Sequence, residues 1–258
     1  MSASWDYIAK LICIGDSGTG KSSLTIRLCE GRFSPYHDVT IGVEFGSRIV
    51  PVGPPNTQPP KPKPSVSRDP SFADIPEGLP EPRRIEEQVE QKHMKLSLWD
   101  TAGQETYKSV TRSYFRGASG ALLVFDISRR PTFDHVTDWL NDLRQIAEPD
   151  IVVVLVGNKN DLAAGDENKR EVTKEEAEEW AKKNAVLEYV ETSAKSGDGV
   201  EMAFGRVAER IYMNIEAGKY DLNDRRSGVK GPGAGGANRG NVKLGAPSNQ
   251  VGWGGGCC

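Results

Sequence analysis

Gly15-Asp16-Ser17-Gly18-Thr19-Gly20-Lys21-Ser22 constrains this chain more than any other stretch. It satisfies every required position of G-x-x-x-x-G-K-S/T, a loop whose backbone amides cradle phosphate groups. Such a loop works only between a buried strand and the first turn of a helix. The apolar run Tyr7 to Ile14 supplies the strand, and Ser22 to Cys29 can be helical. Ser17, Gly18, Thr19 and Gly20 form the cradle, Lys21 reaches the outer phosphates, and Ser22 and Ser23 open the helix. A nucleotide polyphosphate is the expected ligand.

Further apolar runs at Leu96 to Trp99, Ala121 to Ile127, Ile151 to Val156 and Leu187 to Val190 read as buried strands separated mostly by helical patterns. Alternation of this kind predicts an α/β chain, a mostly parallel sheet with helices on both faces. Glu44 to Val52 alternates and predicts an edge strand. Thr173 with Glu176 has capping-box spacing before a helix to Lys183, and Val200, Phe204, Val207, Ala208 and Ile211 share one face of a final helix. Residues 51–82 hold 11 of the 16 prolines, which excludes helix and sheet interiors there. The predicted organisation is a domain over 1–217, interrupted by a proline-rich insertion over 53–92 between the second and third strands, then a disordered tail over 218–258. Arg83 to Lys92 is charged enough for a short helix but has no apolar face.

A net charge of −3 gives no electrostatic footprint for nucleic acid, and none is expected as a partner. No apolar run approaches the roughly 20 residues that span a bilayer, and the first residues lack a signal-peptide layout. Cys13 and Cys29, inside the first strand and helix, read as small core residues; Cys257 and Cys258 end the chain and cannot be core.

Three later segments identify the base and the chemistry. Asn158-Lys159-Asn160-Asp161 follows a strand at the sheet edge where such folds bind ligands. The Asp161 carboxylate can accept from guanine N1 and N2, a donor pair that adenine lacks. Ser193, Ala194 and Lys195 follow the next strand, where backbone amides reach guanine O6, and Phe33 is placed to pack on the base. Asp100 begins at a strand end facing the phosphate loop and can hold Mg²⁺ through water, with the Ser22 hydroxyl as a direct ligand. Gly103 lets the backbone approach the terminal phosphate, and Gln104 can orient an attacking water.

With these residues in this order, the chain resembles the Ras superfamily of small GTPases, and within it the Rab branch. Thr40-Ile41-Gly42-Val43-Glu44-Phe45, Trp99 to Glu105 and Tyr114-Phe115-Arg116-Gly117 carry the likeness. His37-Asp38, Gly46-Ser47-Arg48 and Ser109 to Ser113 resemble the Rab four, Rab two and Rab fourteen subgroup. The resemblance implies a three-layer P-loop GTPase fold with six strands, one of them an antiparallel edge strand. It implies GTP and GDP with Mg²⁺ as cofactors, Thr40 closing over the metal and the γ-phosphate, and Lys21, Gly103 and Gln104 in hydrolysis. Ile41, Phe45, Trp99 and Tyr114 would form the effector surface. Cys257 and Cys258 would carry two prenyl groups, bringing in an escort protein and prenyltransferase. An exchange factor, a GTPase-activating protein and a GDP-dissociation inhibitor would drive a cycle between cytosol and the cytoplasmic face of endosomal or Golgi membranes. Two other readings remain open. An ATP-using phosphate-loop enzyme would make Asp161 dispensable. A scaffold would use Pro59-Pro60-Lys61-Pro62-Lys63-Pro64 as a ligand for SH3-like domains, unless the insertion is a mere spacer or translated non-coding sequence.

Overall fold

The computed structural model describes residues 5–36, 39–55, 90–104, 108–163, 168–224 and 227–231, the side chains at 108–110 excepted. Six strands lie in the order β2 (Val43–Val52), β3 (Lys92–Thr101), β1 (Tyr7–Ile14), β4 (Gly120–Asp126), β5 (Val152–Asn158) and β6 (Tyr189–Thr192). All neighbours are parallel except β2, which runs antiparallel to β3 from Val43 opposite Thr101 to Val52 opposite Lys92. This is the expected three-layer arrangement.

The central strands are apolar on both sides because both faces are covered, so adjacent residues feed different cores. Leu11, Cys13, Leu122, Val124, Val154 and Val156 face a cluster that includes Leu24 and Leu28 of α1 (Lys21–Glu30) and Phe204, Val207 and Ile211 of α6 (Val200–Glu216). Ile12, Ile14, Leu123, Phe125, Val153 and Leu155 face the opposite cluster. Its helices, in chain order, are α3 (Arg130–Asp134), α4 (Val136–Ile146) and α5 (Lys174–Lys183), the last capped by Thr173, whose side chain accepts from the Glu176 amide. The short α2 (Lys108–Ser113) lies ahead of β4 and is pinned to α4 where Arg112 meets Gln145 and Asp142.

Several boundaries differ from expectation. β3 starts at Lys92 and not Leu96, because its exposed face carries Lys, His and Ser and hides the strand from an apolar search. Lys92 therefore belongs to the sheet and neither to a helix nor to the insertion; residues 56–89 lie outside the described part. The base of the β2–β3 hairpin is fastened. Gln91 Nε2 donates to the carbonyls of Val52 and Lys92 at 2.8 and 3.0 Å, and the Gly53 amide donates to Glu209 Oε2 on α6 at 3.0 Å.

The sheet also has a seventh strand. β7 (Val229–Lys230) lies antiparallel to Ile8 and Ala9 of β1, and Val229 is fully buried. The expected start of the disordered tail at 218 is thus corrected, since Tyr220, Leu222 and Val229 pack on the α6 side of the core. The physical reason is local: β4 pairs with β1 only from Leu11 onward, which leaves Ile8 and Ala9 an open sheet edge that residues 228–230 fill.

Candidate functional site

The carboxyl ends of β1, β3, β5 and β6 meet at a cavity of ≈ 520 Å³. Ser17, Gly18, Gly20, Lys21, Ser22 and Ser23 line it from the phosphate loop and α1. Phe33, Thr40 and Gly103 close one side, and Asn158, Lys159, Asp161, Ala194 and Lys195 the other. Thr19, Asp100 and Ser193 stand just behind this wall, each buried. Gln104 is half-buried next to Gly103 and is not part of the lining. Thr101, Ser34, Pro35, Val39 and Leu162 also line the cavity and carried no motif signal.

Inside the loop, Lys21 Nζ donates to the carbonyls of Gly15 and Asp16 at 2.9 and 2.8 Å. Burial pulls the ammonium below its ordinary pKa, and the nearby Asp100 carboxylate opposes that pull. Gly20 adopts φ 93°, and a Cβ there would strike the Asn158 amide, so only glycine fits. Gly103 is tight for the same reason of space: a Cβ would sit 2.5 Å from Lys21 Nζ and from the Asp16 carbonyl carbon.

Ser22 Oγ lies 2.8 Å from Thr40 Oγ1, which lies 3.5 Å from Asp100 Oδ2. Two hydroxyls and a carboxylate are an oxygen-only donor set, the kind that suits Mg²⁺, which takes few protein ligands and completes its shell with water and phosphate. Among the described residues there is no cluster of three or more His, Cys, Asp or Glu that could hold a metal ion by itself. The neighbouring Cys13 thiol is pushed up to about 12 by burial, which makes it an inert core residue as expected.

Asn158 is a bolt. Its Nδ2 donates to the Thr19 carbonyl at 2.8 Å, while its Oδ1 accepts from Thr192 Oγ1 and the Ala194 amide at 3.1 and 3.2 Å. Phosphate loop, β5 end and β6 end are therefore held together through one side chain. Lys159 takes a left-handed φ of 69°, and its ammonium reaches the buried Asp126 carboxylate at 2.7 Å. Arg27 of α1 donates from Nε to Ala194 O at 2.8 Å and from Nη2 to Lys195 O, which fixes the segment after β6 to α1. Asp126 and Arg27 escaped sequence reasoning because their partners lie far along the chain and no local pattern marks them.

On the outer face of β2 and β3 stand three rings. Phe45 meets Trp99 edge-on at 4.6 Å, and Trp99 lies 5.6 Å from Tyr114. Lys10 Nζ sits 4.0 Å over the Trp99 ring. Phe45 is 65% exposed and Ile41 77%, so these are surface groups as well as packing. Cys257 and Cys258 lie outside the described residues, and no described helix is long and apolar enough to cross a membrane.

A family description, Ras family, matches residues 10–58 and 81–213. The match takes in both halves of the nucleotide cavity and passes over 59–80, inside the proline-rich stretch. It spans well over half of the chain, and with the cavity built from the same segments it identifies this protein as a member of the Ras family, a small GTPase that binds guanine nucleotide.

Proposed function

We propose that this GTPase is a Rab-type switch, anchored by two prenyl groups at Cys257 and Cys258, that recruits effectors in vesicle traffic at endosomal or Golgi membranes. The observation that carries this reading is convergence. Thr40 and Gly103, from the two segments flanking β2 and β3, approach one point above Ser22 and Lys21. The same two strands present Phe45 and Trp99 on the surface. A γ-phosphate that orders both segments also orders the ring surface, and its loss releases both.

The residues divide the work of hydrolysis. Ser22 and Thr40 would hold Mg²⁺ directly and Asp100 through water; when bound, the ion screens charge on the β- and γ-phosphates. Lys21 and the loop amides hold those phosphates, and the Gly103 amide donates to the γ-phosphate. Gln104 swings in to orient a water, whose oxygen bonds to the γ-phosphorus as the bond to the β-phosphate oxygen breaks, giving GDP and inorganic phosphate. Among the described residues, none of those lining the cavity is an arginine. An activating protein therefore supplies one, with an expected acceleration of about 10³ to 10⁵. An exchange factor, a GDP-dissociation inhibitor, and an escort protein with its prenyltransferase complete the cycle. Double prenylation gives stable anchoring where a single chain is marginal.

The test is localisation of the tagged full chain beside Ser22→Asn and beside Cys257→Ser/Cys258→Ser. Wild type on an endosomal or Golgi compartment with both variants cytosolic is expected; a membrane signal that survives loss of both cysteines sinks the anchoring.

A further inference from the structure

Asp16 is the second residue of the phosphate loop, yet its carboxylate turns away from the nucleotide cavity. It borders a second cavity of ≈ 420 Å³ with Ser17, Gly103, Arg129, His135 and Trp139. Trp139 Nε1 donates to Asp16 Oδ1 at 2.8 Å, and His135 Nδ1 lies 2.7 Å from Oδ2. His135 and Trp139 are four residues apart at the start of α4, so they share one helix face and grip the two oxygens together. Trp139 is 5% exposed and locked in the core.

The backbone of the same residue serves the phosphate site. The Asp16 carbonyl accepts from Lys21 Nζ at 2.8 Å and from Thr19 Oγ1 at 2.9 Å. Gly103 rests against the Asp16 carbonyl carbon, at a separation that leaves no room for a Cβ. One peptide thus caps the lysine, seats the phosphate-sensing glycine, and is tethered to α4 by its side chain.

We propose that Asp16, held by His135 and Trp139, is a positioning residue that governs how long nucleotide stays bound. The grip on the carboxylate fixes the direction of the Asp16 carbonyl, and with it the place of Lys21 and the seat of Gly103. Freed from α4, the loop samples orientations in which Lys21 no longer meets the phosphates, and nucleotide leaves faster.

His135 makes the grip sensitive to pH. The hydrogen bond to Asp16 and the charge of that carboxylate raise its pKa, with Asp138 and Asp134 adding to this and burial opposing it. Among the described residues, Arg129 is the cation bordering the same cavity. A raised histidine pKa means that the charged pair is complete below about 6.5 and is lost as pH rises through the higher folded value. One neutral tautomer still donates from Nδ1, so release should quicken only by roughly threefold over that rise.

The inference rests on guanine nucleotide occupying the main cavity, and the test separates the two. Full-length protein loaded with methylanthraniloyl-GDP is chased with excess GDP between pH 6.0 and 8.5. Trp139→Phe, which keeps the bulk and deletes the donor, is expected to release roughly tenfold faster at every pH. His135→Ala should be fast and flat where wild type rises, and Asp16→Asn with Trp139→Phe should add little to either alone. A wild type that takes up no labelled GDP overturns the nucleotide assignment itself. Wild-type release rates in all variants, or a pH rise that persists in His135→Ala, overturn the positioning role. Melting of the GDP-loaded variants separates general unfolding from it: release that tracks melting temperature alone, with the pH rise intact, also counts against it.

Discussion

Ser193 Oγ donates to Asp161 Oδ1 at 2.7 Å, joining two loops that lie 32 residues apart. The hydroxyl is itself aimed, since it accepts from the Ser196 amide at 3.0 Å. Ser193 does not itself line the cavity; it orients the Asp161 carboxylate, which does. Lys195 Nζ, 4.0 Å from the other oxygen and exposed, adds little.

Asp161→Asn should trade guanine for xanthine nucleotides, because the amide still accepts from N1–H but presents a donor where guanine has its own N2 amino donor and xanthine has the O2 acceptor. Ser193→Ala should weaken GDP binding by roughly fivefold without changing base preference, the cost of one lost hydrogen bond. Competition of GDP, XDP and ADP against labelled GDP checks both; ADP competing as well as GDP in wild type contradicts the base assignment.

Gly103→Ala should leave GDP affinity nearly unchanged and abolish the difference between the GDP and GTP states. A methyl group has no space against Lys21 Nζ and the Gly15 carbonyl oxygen, 2.5 and 2.6 Å from the Cβ position. Limited proteolysis with GDP and with a non-hydrolysable GTP analogue reads the outcome: identical digestion patterns are expected for the variant, different ones for wild type.

Much of this arrangement was legible in the chain. Both cores follow from runs such as Ala121 to Phe125, where every residue is buried and neighbours serve opposite faces. The phosphate loop and Asp161 were legible because their chemistry is contiguous. What escaped was contact between distant residues: Asp16 with Trp139 is 123 positions apart, and each side chain has an ordinary local role. β7 escaped because two residues amid glycines carry no periodicity, and its reason for forming lies on β1. The polar outer face of β3 similarly masked its first turns of alternation.

Removing residues 56–89 should leave the melting temperature within a few degrees of wild type and GDP binding intact. The hairpin base is already closed by Gln91 and held to α6 by Glu209, and Gly53 is pressed against the Tyr212 ring. Loop length itself costs little, with each doubling worth about 0.6 kcal/mol. Thermal melting of the deletion variant checks this; a loss of more than about ten degrees would show the insertion to be part of the folded domain.

Ending the chain after Gly231 should be neutral, whereas ending it after Gly218 should destabilise it by about 2–4 kcal/mol, since it deletes the buried Val229 and the Tyr220 and Leu222 side chains that pack on the core. Urea unfolding of the two truncations measures the difference. Equal midpoints would mean that β7 contributes nothing in solution.

Arg170 and Glu191 set an acid limit. Burial alone would raise the Glu191 pKa, but the paired bonds from Arg170 at 2.7 and 2.8 Å and one from Tyr189 at 2.9 Å outweigh it, and the net shift is downward. The stabilisation is therefore complete above about 4.5 and disappears as pH falls through the lower folded value. Arg170→Leu strands a partly buried carboxylate and should cost about 3 kcal/mol near neutrality. It should also move the acid-unfolding midpoint to higher pH, as circular dichroism across pH 2–7 will record.

The placement of β7 gives the molecule two poles. Lys230 pairs with Ile8 near one end of β1, while the other end, Ile14, runs straight into the phosphate loop. Six residues of extended chain, about 20 Å, separate them. Whatever follows Gly231 can thus lengthen, shorten or change composition without its strain reaching the nucleotide, so that the far end of the chain and the nucleotide site are free to vary independently.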